Sequence, residues 1–154
     1  MTKISRGKLY FAVSATVLLI CLFIVLTYKI YYPVLHSEKV LSEYGWDIAS
    51  SDKFSKTTPI LSKDFLNQEL TKLQIAASVQ IGLDPRNYEG EAFRKYSFDL
   101  LQEGLSKKLR ADIWMQDNKS ICAYIYHTED NIAIKYWSPD TSYEEILEDL
   151  AEGM

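Results

Sequence analysis

The sequence predicts an α+β protein: one N-terminal transmembrane helix, then a helix packed on a four-stranded antiparallel meander, with a short C-terminal helix. This rests on an uncharged apolar run near the N-terminus, a helical apolar period after Ser62, and a period of two after Glu91. Of the 154 residues, roughly 110 to 120 are left for a folded body once the membrane segment is set aside, enough for one core. Apolar content of 47% and aromatic content of 13% supply the material to pack it.

Leu9 to Tyr28 (LYFAVSATVLLICLFIVLTY) carries no charge and no proline, and as a helix rising about 1.5 Å per residue it spans roughly 30 Å, the thickness of a hydrocarbon core. Tyr10 and Phe11 at one end and Tyr28, Tyr31 and Tyr32 at the other have the character of interfacial anchors, and Lys29 can snorkel to the headgroups. Lys3, Arg6, Lys8 and the amino terminus outweigh Lys29, so the positive-inside rule puts the N-terminus in the cytoplasm and the C-terminal domain outside it, in the cell envelope. A cleaved signal peptide competes with this reading. The length of the run and the bulky Lys29-Ile30-Tyr31-Tyr32-Pro33 that follows it favour an uncleaved anchor. The expected division is a cytoplasmic tail over 1–8, a transmembrane helix over 9–30, a juxtamembrane helix and loop over 31–61, and an extracytoplasmic α+β domain over 62–154.

Pro33 is expected to end or bend the membrane helix. Ser37 can then cap a short helix, Glu38 to Glu43, that stops at Gly45, and the polar stretch Ala49 to Pro59 reads as an exposed loop. Ser62 opens a longer helix, closed by Gly82, on which Leu66, Leu70, Leu73, Ala77 and Ile81 form one apolar stripe. Turn formers fill Leu83 to Gly90. Alternation then marks strands at Ala92 to Leu100, Lys108 to Met115, Ser120 to His127 and Ile132 to Trp137, with turns at Asp117-Asn118 and Glu129-Asp130-Asn131. Links this short dictate antiparallel pairing. Ser142 with Glu145 fits a capping box for a terminal helix bearing Ile146, Leu147 and Leu150 on one side.

Tyr44-Gly45-Trp46, Ile81-Gly82-Leu83-Asp84, Tyr88-Glu89-Gly90, Arg94-Lys95-Tyr96-Ser97-Phe98 and Leu109-Arg110-Ala111-Asp112-Ile113 are short motifs. In them the chain resembles a family of short membrane-anchored bacterial extracytoplasmic domains of unknown function. The resemblance implies an envelope location and an α+β fold, and it implies no activity. Where that family tends to carry a Gly-Gly-Asp step, this chain has Cys122-Ala123-Tyr124.

Charge narrows the partners. All 21 acidic residues lie from Glu38 onward, and beyond Lys29 they face 13 basic ones, a balance of −8 that repels phosphate backbones and disfavours nucleic acid. Cys21 falls in the apolar run and Cys122 in the domain, so a bridge between them is not expected, one lying in the bilayer and the other in a sheet. His36 and His127 have no Cys, His or carboxylate at a zinc spacing, and Cys122 and His127 point to opposite faces of one strand, so no metal, cofactor or catalytic group is assigned. Asp84 before Pro85 is expected to bond nearby backbone amides.

The feature expected to carry binding is the aromatic set Tyr124, Tyr126, Tyr136 and Trp137. Tyr124 and Tyr126 share a strand face with Cys122, opposite Ile121, Ala123 and Ile125, so a helix covering the aliphatic face would leave the aromatic one either available to a partner or covered by the terminal helix. The resulting expectation is a non-catalytic, membrane-tethered module that contacts another envelope protein. The alternative is a small envelope hydrolase, or a domain binding wall polymer or a ligand.

Overall fold

The computed structural model describes residues 6–52, 58–101, 109–129 and 132–152. Its first element, α1 (Arg6–Glu43), is one helix of 38 residues with Pro33 inside it. Of the two outcomes expected at Pro33, the ending is corrected: the apolar run and the turns up to Glu43 are one continuous helix. Proline removes one donor, which takes one intrahelical bond from the Lys29 carbonyl. A ring ladder crosses the site, with Tyr28 and Tyr32 centroids 4.9 Å apart and Tyr32 stacked on His36 at 5.9 Å. By length and composition α1 is the one helix among the described residues able to cross a membrane.

The helix ends in a Schellman motif. Gly45 adopts φ +81°, its N–H donates to the Ser42 carbonyl at 3.0 Å, and the Trp46 N–H donates to Leu41 O at 3.2 Å. Leu41 and Trp46, brought together by that turn, are both buried in the same core. The last turns of α1 thus belong to the folded domain, with Pro33, Ser37 and Leu41 buried along one side.

Five strands, not four, form the sheet: β1 (Ile48–Asp52), β2 (Arg94–Leu100), β3 (Leu109–Gln116), β4 (Lys119–Glu129) and β5 (Ile132–Trp137), in the order β1-β2-β3-β4-β5. The added strand lies in the stretch read as an exposed loop, of which 53–57 are outside the described residues. It pairs antiparallel with β2 from Ile48 opposite Leu100 to Asp52 opposite Ser97, so main-chain bonding holds a polar edge strand that alternation could not reveal. Asp117 and Asn118 join β3 to β4 as a two-residue turn with φ of 43° and 65°, the primed geometry expected of them. The turn expected at Glu129-Asp130-Asn131 involves 130–131, outside the described residues.

The single helix expected after Ser62 is two: α2 (Lys63–Leu66) and α3 (Glu69–Val79). Ser62 caps the first through its Oγ, as expected, but Gln68 is extended at φ −63°, ψ 139° and interrupts the run. The interruption resets the helical phase. Thr71, Ile75, Ala77 and Ser78 are buried, while Leu70 and Leu73 of the expected stripe are 60% and 55% exposed.

The two sheet faces are covered in the opposite sense to that expected. Tyr96, Phe98, Leu109, Ala111, Ile113, Ala123, Ile125 and Trp137 form the core with Leu41 of α1, Trp46 and Ile146 of α4 (Tyr143–Glu152). Helix α3 packs on the aromatic face, against β4 and β5. The aliphatic face was already occupied by the end of α1. At the start of α4, Ser142 N–H donates to Glu145 Oε2 at 2.9 Å and Glu145 N–H to Ser142 Oγ at 3.2 Å, the expected reciprocal cap.

Candidate functional site

The register of β3, β4 and β5 decides which candidate residues meet. Tyr126 lies opposite Tyr136, and Tyr124 opposite Asp112, so alternation directs all four side chains to the α3 face. Their rings form a cluster, with centroids 5.9 Å apart for Tyr124 and Tyr126, 5.5 Å for Tyr124 and Tyr136, and 6.1 Å for Tyr126 and Tyr136. Trp137, next in sequence to Tyr136, faces the other way. It lies in the α1 core, where its Nε1 donates to Asp149 Oδ2 at 2.7 Å and Lys135 Nζ sits 5.8 Å from its ring centroid.

At the centre of the tyrosine cluster is Asp112, which sequence reasoning missed. Its Oδ2 accepts from the Tyr124 hydroxyl at 2.9 Å and its Oδ1 from the Tyr126 hydroxyl at 3.2 Å, while Lys95 Nζ lies 2.9 Å from Oδ2. The carboxylate is 2% exposed, and these charge-assisted bonds offset what burying it costs. A carboxylate in mid-strand, between Arg110 and Trp114 on the same face, was the available signal. Burial first, then the Asp112 charge, raises the Tyr124 and Tyr126 hydroxyls well above the usual tyrosine range. Both donate to the carboxylate as neutral phenols.

Tyr124 is 1% exposed, which differs from the open aromatic face the sequence suggested. Helix α3 closes the β4–β5 half. Gln74 Nε2 reaches the Tyr136 hydroxyl at 3.5 Å, and Ser78 Oγ accepts from Ala123 N–H at 2.9 Å while donating to Leu83 O at 2.9 Å. Ile121, expected on the aliphatic face, is the extra residue of a bulge between the Trp114–Cys122 and Met115–Ser120 pairs, and it packs with the aromatic side. Cys122 is buried beside it. Desolvation pushes its thiol up to about 12, which leaves it a protonated core residue.

The other half of that face, on β2 and β3, lies beyond α3. It presents Lys95, Ser97, Asp99 and Arg110, each half-buried, with Arg110 Nε 3.0 Å from Asp99 Oδ1. This strip carries both charge signs and runs directly beside the Asp112 network. Asp84 caps the short helical turn Pro85–Tyr88, accepting from Arg86 N–H at 3.0 Å and from Arg86 Nε at 2.8 Å, and the Arg86 bonds hold its carboxyl below the usual range. His127 is buried opposite Leu109, away from Cys122. Among the described residues no group of three His, Cys, Asp or Glu is placed to hold a metal ion.

No family model, curated protein or solved structure matches the chain.

Proposed function

We propose that this protein is a membrane-tethered, non-catalytic module whose domain lies on the extracytoplasmic side and acts by contact with another envelope protein. The observation that carries the reading is the dual use of α1, whose apolar N-terminal part is fit to cross a bilayer while Leu41 is fully buried in the core of the domain. A helix shared in this way holds the domain at a fixed height and orientation, and tethering turns partner encounter into a local event. The charged strip of β2 and β3 is the surface offered to that partner. Mixed charges on a firm sheet favour orientation and selectivity over raw affinity. The bacterial family noted for its short motifs is consistent with this location.

A photo-crosslinking residue at Ser97, in the full chain within its own membranes, is expected to give a discrete protein adduct that the same residue at Glu144 does not. Equal adducts at both positions, or none at Ser97, would contradict the proposed surface. An adduct removed by a wall-degrading enzyme would favour a polymer-binding role instead. The orientation has its own test, in which protease added to intact spheroplasts removes a tag placed after Met154; a protected tag puts the domain on the other side.

A further inference from the structure

The sheet register and the course of α1 fix which end of the domain is nearest the bilayer. Arg94 pairs with Met115 at the end of the sheet that is closed by the Asp117-Asn118 turn. That end and α1 together wall a cleft of about 360 Å³, lined by Lys29 and Pro33 from the helix and by Thr58, Arg94, Asp117 and Asn118 from the domain. Its size falls in the range of small-ligand clefts, roughly 300–1,000 Å³.

Lys29 is the first charged residue after the uncharged run that ends at Tyr28, and a cation in that place sits at the level of lipid phosphates. Both Lys29 and Arg94 are exposed. Across the cleft stands Asp117, whose Oδ2 is taken up by Gln116 Nε2 at 2.9 Å. Two cations against one carboxylate make the cleft net positive, in a domain whose overall balance is strongly negative. The repulsion of phosphates that follows from the acidic balance is thus reversed locally, where the headgroups are.

We infer that this cleft holds the phosphate of a phospholipid headgroup, clamped between Lys29 on the membrane helix and Arg94 on β2. The inference rests on the reading of α1 as a membrane anchor. Arginine at the domain wall offers a planar fork for phosphate oxygens, and lysine a mobile point charge from the helix. The bound headgroup ties the turn at 117–118 to the membrane surface and fixes how the domain faces its partner.

The test uses the full chain in lipid nanodiscs, released into neutral detergent and weighed by native mass spectrometry. The wild type is expected to retain one phospholipid, and Arg94→Gln to retain it about fivefold less, the worth of one interfacial cation. Arg86→Gln, outside the cleft lining, should behave as wild type. Equal retention by wild type and Arg94→Gln, or no retention by either, would overturn the inference. So would saturable binding of inorganic phosphate to the lipid-free protein that Arg94→Gln abolishes, since it would assign the cleft to a free anion. Failure of the anchor reading is seen separately, as release of the wild type from membranes by alkaline carbonate.

Discussion

Replacing Asp112 by alanine is expected to destabilise the full chain in detergent by about 3–5 kcal/mol, a large part of the 5–15 kcal/mol typical of a domain. The carboxylate is the common acceptor for Tyr124, Tyr126 and Lys95. Without it the Tyr124 hydroxyl is left buried without its acceptor, at a cost of about 1–3 kcal/mol, and a cavity opens between β3 and β4. Lys95 recovers part of its solvation because its side chain is 42% exposed. Asp112→Asn keeps the shape and one acceptor oxygen, so its loss should be about half as large. Urea unfolding followed by tryptophan fluorescence measures both. If the two variants were equal to wild type, the network would have no part in holding the sheet.

Trp46→Ala is expected to be comparably severe, about 3–5 kcal/mol, equivalent to a fall in melting temperature of roughly 10–20 °C. Trp46 closes the helix-ending turn of α1, is 3% exposed, and donates from Nε1 to Pro139 O at 2.7 Å. It therefore links the end of α1 to the approach to α4. Trp46→Phe preserves most of the packing and loses that bond, for a cost of about 1 kcal/mol. Thermal unfolding of the three proteins in one detergent checks the order. An undisturbed Trp46→Ala would mean that α1 ends outside the domain.

Local signals made β2 to β5, the primed turn at Asp117-Asn118 and the cap at Ser142 legible before the fold was known, because each depends on residues close in the chain. What escaped depends on partners far away. Ile48–Asp52 has little apolar pattern and is a strand because β2 offers it an edge. Gln68 carries no helix-breaking signature, yet its extended backbone turned Leu70 and Leu73 outward. Pro33 is a strong local stop signal, overridden because the turns after it pack on the sheet. The helix expected to cover the aliphatic face lost that place to α1, and with it went the open aromatic surface. Three of the four aromatic candidates do assemble, and Trp137 is excluded by strand alternation alone. Asp112 escaped because its donors come from β2 and β4, and only register brings them to one carboxylate.

That α1 runs unbroken from its apolar part into the core of the domain is tested most directly by a nitroxide scan along residues 28–40. Cys21→Ser removes the exposed thiol of the apolar run, and the buried Cys122, its thiol pushed up to about 12, does not compete for label. Accessibility to a polar relaxing agent is expected to oscillate with a period of about 3.6 residues straight through Pro33, with minima at Ser37 and toward Leu41. Loss of the oscillation over 30–36, with uniformly fast label motion there, would contradict it.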